Sequence, residues 1–194
     1  MTAGLVMLSH FIDIQVRADP EFSQPQLLAA LYAKLHRQLV RQQSDDIAVS
    51  FPGYSDSPRG LGDRLRLLGS QSALEKLMAS DWLLGMRDHV GIGQMDTVPA
   101  HAVHRRLKRC QFKTSAERLR RRYCKRHQVT AEEALRVLPD EPPPRIQLPY
   151  VRLRSSSTGQ TFSLFLSLEE PLPAPIEGRF NAYGLSTEAS IPWF

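Results

Sequence analysis

The sequence predicts an α+β fold in two parts, and three observations carry that prediction. Apolar residues alternate at period two in several short segments, leucines recur at helical spacing between them, and the basic residues crowd into one stretch of the second half. At 194 residues the chain suits one ordinary domain or two small ones sharing an interface. The parts are expected at residues 1–100 and 101–194.

His10 to Arg17 alternates, with Ile12, Ile14 and Val16 on one face and Asp13, Gln15 and Arg17 on the other, the period of a half-buried strand. After Asp19-Pro20 and Pro25, Leu28, Leu31, Leu35 and Leu39 predict a helix from Gln26 to about Gln42 with one apolar stripe to lay on a sheet. Ile47, Val49 and Phe51 predict the next strand, ended by Pro52-Gly53, and Leu65 and Leu67, alternating with Arg64 and Arg66, predict a third. Ser72 with Glu75 reads as a capping box for a short helix carrying Leu74, Leu77 and Met78, and Val90 and Ile92 predict a fourth strand before Pro99. Strand, helix, strand, strand, helix, strand is the ferredoxin-like βαββαβ pattern, also the plan of a common RNA-recognition module. The aromatic base-stacking signature of that module is missing from both candidate central strands, so nucleic-acid binding is expected elsewhere than on the sheet face.

The second half supplies the charge. Residues 101–130 hold eleven Lys or Arg against one acid, Glu117, a local net of +10, whereas the whole chain carries +5 and the remainder therefore −5. A basic segment on a mildly acidic chain is a footprint for a polyanion, because each neutralised phosphate releases counterions. A helix is predicted from about Ser115 to His127, with Arg118, Arg121, Arg122 and Lys125 at i, i+3, i+4 and i+7 on one face and Leu119 and Tyr123 on another. A solvated helix normally mixes signs to gain i,i+4 pairs, and this pattern does not. Thr130 with Glu133 caps a second short helix through Val137, stopped by Pro142, Pro143 and Pro144. Tyr150 to Leu168 reads as a β-hairpin around Ser157-Thr158-Gly159.

Several function classes find no support. No run approaches the roughly 18 apolar residues of a membrane span, the first ten residues lack a signal-peptide pattern, and a cytoplasmic, non-membrane protein is expected. Cys110 and Cys124 form no CxxC pair and have no clustered histidines, so no zinc site is expected. No GxSxG elbow, phosphate-cradling glycine loop, HExxH or clustered acids suited to a two-metal nuclease appear. His36 lies one position beyond the apolar stripe and one turn after Tyr32, where a helix histidine is more often structural than catalytic. From residues alone the chain is an RNA or DNA binder, and catalysis is not visible.

An ordered set of segments goes further: Lys34-Leu35-His36, Ile47 to Pro52, Glu117 to Arg122, Leu153-Arg154-Ser155 with Ser157 to Gln160, Tyr183 to Ser186, and Pro192-Trp193-Phe194. Together they resemble the type I-F, or Ypest-subtype, CRISPR endoribonucleases that trim precursor CRISPR RNA at each repeat hairpin. The resemblance implies that His36 is the catalytic histidine, that Ser155 holds the attacking ribose 2′-hydroxyl, and that Tyr183 orients the site. It implies that Arg109 and Gln111 read bases at the foot of the hairpin and that the helix bearing Arg118, Arg121, Arg122, Lys125 and Arg126 enters the major groove. Lys125 stands where the family prefers arginine. Ser157 and Thr158 are expected to contact RNA and Phe162 to stack on it at the cut. Also implied are a cut at the 3′ foot of the stem without metal or cofactor, binding of precursor and mature CRISPR RNA, and membership of a type I-F interference complex. A hairpin-binding subunit that does not cut, or a DNA-binding regulator, would use the same cations.

Overall fold

The computed structural model describes residues 8–111, 116–138, 146–155 and 158–194. The chain divides into two compact units, one running to Cys110 and resuming from Leu148 to Phe194, the other Gln111–Gln147. Helices and antiparallel sheets make it an α+β protein.

The first unit begins with β1 (His10–Val16), α1 (Gln24–Gln42) and β2 (Ala48–Ser50), a small ribbon of β3 (Ser55–Asp56) and β4 (Arg59–Gly60), then β5 (Arg64–Gly69), α2 (Gln71–Met78), β6 (Val90–Ile92) and β7 (Asp96–Thr97). Its principal sheet runs β2-β5-β1-β6 with every neighbour antiparallel, and β7 pairs with β1 as well. α1 starts earlier than the leucine stripe suggests. The backbone N–H and hydroxyl of Ser23 both donate to Gln26 Oε1, and Pro25 sits in the first turn, where its missing N–H leaves no bond unmade. Leu28, Leu31, Leu35 and Leu39 are buried as the period requires, each contributing roughly 2 kcal/mol of apolar burial. α2 also starts earlier: its cap is Ser70, whose Oγ accepts from the Ala73 N–H at 3.2 Å. Ser72 lies inside the helix, and Glu75 accepts from Gln71 across one turn, so the expected Ser72–Glu75 box does not form.

β8 (Val103–Arg105) and β9 (Leu107–Cys110) continue this unit, which resumes with β10 (Tyr150–Arg154), β11 (Thr161–Leu168) and β12 (Ile191–Trp193). The expected hairpin is β10 and β11, and β9 adds to it in the order β10-β11-β9, while β12 pairs with β8. Neither β8 nor β9 was apparent in the sequence, because β9 buries only Leu107 and β8 buries nothing, leaving no alternation to read. One apolar core runs through the unit, from Ile14, Leu31 and Leu65 to Leu153, Leu164 and Leu166.

Arg66 departs most from its pattern. The alternation puts it on the polar face of β5, yet it is 5% exposed. Its Nε and Nη2 donate to the two carboxylate oxygens of Asp13, the residue opposite it on β1, at 2.7 and 2.9 Å, and its Nη1 donates to the backbone oxygen of Phe194 at 2.6 Å. The guanidinium lies 3.8 Å from the Phe194 ring centre and 4.8 Å from that of Phe11, and the two rings meet edge to face. Phe194 thus covers the second face of β1 and β5 around Arg66 and Phe11.

In the second unit, α3 (Ala116–His127) packs with α4 (Ala131–Val137). The Thr130–Glu133 capping box forms as the sequence predicts, and Ala134 is buried. Among the described residues no helix is long and apolar enough to cross a membrane, and both cysteines are free thiols.

Arg66→Met removes a charge that satisfies Asp13 in a largely buried setting and is expected to destabilise the protein by about 3 kcal/mol. Urea denaturation of the two proteins measures the difference; a change below about 1 kcal/mol would show the pair to be dispensable.

Candidate functional site

A cleft of about 160 Å³ gathers side chains from three separate parts of the first unit: Ala33, His36 and Arg37 of α1, Leu153 to Ser155 at the end of β10 together with Phe162 of β11, and Tyr183. His36, Ser155, Tyr183 and Phe162, more than a hundred residues apart in sequence at the extremes, therefore share one wall-to-wall space.

The loop from Asn181 to Leu185 builds one side. Asn181 Oδ1 accepts from the backbone N–H of Tyr183 at 2.8 Å and of Leu185 at 3.4 Å, the side-chain turn for which asparagine is suited. Gly184 closes the turn with φ +68° and donates to Asn181 O at 2.7 Å. Three consecutive carbonyls then point to three partners: Ala182 O to His36 Nδ1 at 2.8 Å, Tyr183 O to the Tyr32 hydroxyl at 2.7 Å, and Gly184 O to the Val49 N–H at 3.0 Å. Burial pushes the Tyr32 phenol far above its ordinary pKa, so it stays a hydrogen-bond donor.

A carbonyl oxygen can only accept, so Nδ1 of His36 carries the hydrogen. In the neutral ring, Nε2 then holds the lone pair. The Tyr183 ring stacks on the imidazole at 3.8 Å between centres and 3° between planes. Both the tautomer and the ring plane of His36 are thereby set by the same short loop, the arrangement a proton-transfer group needs.

Ser155 follows the last residue of β10. Its N–H donates to Gln160 O and its carbonyl accepts from Gly159, each at 2.9 Å, and its Oγ accepts from the Thr158 N–H at 3.2 Å. Thr158 is exposed in the adjoining turn. Ser157 lies outside the described residues.

Arg109, on β9 opposite Leu166 of β11, has its guanidinium carbon 5.7 Å from the ring centres of both Phe162 and Tyr183, a double cation–π setting. Its neighbours in the basic stretch have other partners. Arg105 Nε donates to Glu169 O at 2.6 Å and Arg106 Nε to Glu188 O at 2.9 Å, while Arg106 and Lys108 both reach the Glu169 carboxylate. The Lys108 hydrogen bond first, and Arg106 after it, hold the Glu169 carboxyl below the usual carboxylate range.

In the second unit Gln111 is exposed, and so are Arg121, Arg122, Lys125 and Arg126 on α3. Arg121 pairs with Glu117 at 3.2 Å across one turn, so the helix does contain an i,i+4 pair, contrary to the expectation from its sequence. The side chain of Arg118 lies outside the described residues. Arg37 and Arg154 also line the cleft, although no role is expected of either from the sequence. The signal for Arg154 was present, since it immediately precedes Ser155 on a strand of alternating arginines. Asn181 was also legible as an Asn-x-x-Gly turn. Among the described residues no group of three or more His, Cys, Asp or Glu is placed to hold a metal ion.

Residues 11–194 match the family model described as "CRISPR-associated protein (Cas_Csy4)". The chain is 44% identical over 187 residues to the CRISPR-associated endonuclease Cas6/Csy4 of Pseudomonas aeruginosa strain UCBPP-PA14, covering 96% of this chain and all of that protein. It is 41% identical, with the same coverage, to the protein of that name from Escherichia coli strain UTI89.

Gly184→Ala tests the loop that sets His36. A Cβ there would stand 2.7 Å from Val49 Cγ1 and 3.1 Å from Val49 N, in a backbone conformation that alanine resists. The substitution is expected to destabilise the protein by about 2 kcal/mol, read as a lower urea midpoint; an unchanged midpoint would mean that the loop is not held as tightly as its hydrogen bonds indicate.

Proposed function

The chain belongs to the Cas_Csy4 family of CRISPR-associated proteins, and from that premise we propose that it is a metal-independent endoribonuclease that binds CRISPR repeat RNA hairpins and cuts at the 3′ foot of the stem, yielding mature CRISPR RNA. The observation that carries the reading is the single cleft holding His36, Ser155, Tyr183 and Phe162. Its relatives are named CRISPR-associated endonucleases, and the first half supports a ferredoxin-like assignment through its strand order β2-β5-β1-β6, all antiparallel.

In the proposed reaction the substrate brings its own nucleophile. The ribose 2′-hydroxyl beside the scissile phosphate, held by Ser155, gives its proton to His36 Nε2 as its oxygen bonds to phosphorus. The bond from phosphorus to the 5′-oxygen of the next nucleotide breaks, that oxygen takes a proton from water and leaves as a 5′-hydroxyl, and the proton on His36 returns to solvent. The other product ends in a 2′,3′-cyclic phosphate, or a 3′-phosphate after hydrolysis. Because attacking and leaving oxygens belong to one strand, the protein's task is alignment and proton transfer. Tyr183 keeps the imidazole in plane, and Phe162 stacks on RNA at the cut. Arg109 and Gln111 read bases at the foot of the stem. The helix residues Arg118, Arg121, Arg122, Lys125 and Arg126 hold the hairpin's phosphates and groove edges, with Ser157 and Thr158 as further RNA contacts. An A-form major groove admits a helix only near a stem end, which suits a short hairpin. The boundary near residue 100 is proposed as a functional one, with His36 on one side and most of the RNA-reading side chains on the other. A place in a type I-F interference complex, in the cytoplasm, belongs to the same reading.

Labelled repeat hairpin incubated in excess EDTA with wild type and His36→Ala tests it. Wild type should give one cut with a 5′-hydroxyl end, and the variant should bind with wild-type affinity and not cut; binding without cutting by the wild type would replace the enzyme with a hairpin-holding subunit. Arg109→Ala should weaken binding by about 1–3 kcal/mol and relax sequence choice at the contacted base. An equal loss across unrelated hairpins, in filter-binding titrations, would make Arg109 a phosphate contact.

A further inference from the structure

Two arginines share the cleft with His36, and their surroundings differ. Arg154 is engaged at the hairpin turn, its Nε donating to Gly159 O at 3.0 Å. Arg37 is exposed and, among the described residues, has no hydrogen bond, ion pair or ring contact. Arg109, the other cation near the site, lies over the rings of Phe162 and Tyr183. Among the described residues no carboxylate lines the cleft.

The helix explains how Arg37 comes to be there. Ala33, His36 and Arg37 stand at i, i+3 and i+4 on α1 and face one space. Helical side chains lean back over the turn N-terminal to their own Cα. Arg37 therefore leans toward Ala33, whose small side chain leaves the room beside His36 open. An exposed arginine is ordinary by itself. This one shares about 160 Å³ with His36 and Ser155, in a cleft that supplies no acid to match it.

The proposed reaction creates the anion that would match it. A phosphodiester carries one negative charge, and a second builds on the non-bridging oxygens as the 2′-oxygen bonds to phosphorus and its proton passes to His36 Nε2. Ala33, Leu153 and Phe162 are apolar, and Ser155 and Tyr183 bring hydroxyl groups, so none of them balances that charge. A guanidinium offers a fixed positive charge and a planar fork of N–H donors suited to phosphate oxygens.

We propose that Arg37 binds a non-bridging oxygen of the scissile phosphate and stabilises the charge that gathers there as the 2′-oxygen attacks. The inference rests on the endoribonuclease reading and deepens it. Arg37 forms no covalent bond and gives up no proton: the 2′-hydroxyl proton goes to His36, and the leaving 5′-oxygen takes its own from water. Its interaction strengthens as charge develops, so it speeds the cut more than it tightens binding.

The test uses the full chain and repeat hairpins that extend past the cut, with single-turnover rates measured at excess protein. Arg37→Ala should cut about 100-fold more slowly than wild type, the lower end of what losing one oxyanion donor costs, because the cleft is open to water. It should bind a hairpin made uncleavable by a 2′-deoxy nucleotide at the cut within about twofold of wild type. The position is exposed, so the urea midpoint should not move. Sulfur separates contact with the phosphate from a merely structural effect. Wild type should cut one phosphorothioate diastereomer at the scissile phosphate more slowly than the other, since sulfur is a weak acceptor, and Arg37→Ala should lose most of that difference. A variant rate within about threefold of wild type, a rate loss matched by an equal loss of affinity, or a diastereomer preference that survives the substitution would overturn the proposal. A wild type that binds the hairpin and does not cut it would instead remove the endoribonuclease reading, and this inference with it.

Discussion

The hydrogen bond from the Tyr32 hydroxyl to the Tyr183 carbonyl is the constraint on which the site depends. Tyr32 is wholly buried, and an unpaired hydroxyl there would cost about 1–3 kcal/mol. The 181–185 loop is therefore drawn onto α1 by the core itself. Once it is seated, the carbonyl before Tyr183 O meets His36 and the carbonyl after it meets the edge of β2. One loop thereby takes up an N–H on the outer edge of β2, satisfies a buried phenol and sets a histidine. Stability and site geometry share the same three bonds, so neither can drift without the other.

Electrostatics reduces the apparent surplus of charge. Eleven cations in residues 101–130 suggest a uniform basic surface, but Arg105, Arg106 and Lys108 are bound to Glu169 and to the backbone of residues 169 and 188. They tie β8 and β9 to the segments around them. Arg109 is set apart by its place over two aromatic rings, and the exposed cations of α3 form a separate group on a separate unit. Charge density in sequence overstates what is available to a polyanion, because an arginine in a strand is as ready to serve neighbouring carbonyls as phosphates.

What was legible in the sequence divides along the same line. The periods of β1, α1, β10 and β11 could be read directly, since each buries one face and little else. Arg66 misled because the face it occupies is covered by Phe194, a partner over a hundred positions away that leaves no local mark. Ser72 misled because a serine two residues earlier stood equally well placed, directly after the strand. The site itself was open only to the family resemblance: His36 has the spacing of an ordinary helix residue, and nothing near it in sequence announces that Tyr183 will lie flat against its ring. Asn181 and Gly184 did mark a turn, but a turn signal says nothing of what the turn touches.

A histidine has two nitrogens, and the fold has already used one. With Nδ1 committed to Ala182 O and the ring stacked on Tyr183, only Nε2 is left to exchange a proton with anything that enters the cleft. Loss of the loop contact would leave the residue in place on α1 yet free to rotate and to change tautomer. Under the reading proposed here, that makes the backbone carbonyl of Ala182 as much a part of the proton-transfer apparatus as the imidazole. It also explains why an alanine, whose side chain contributes nothing polar, can occupy a position directly beside the site: the group that matters there is supplied by every residue type, and only the loop's shape has to be specified.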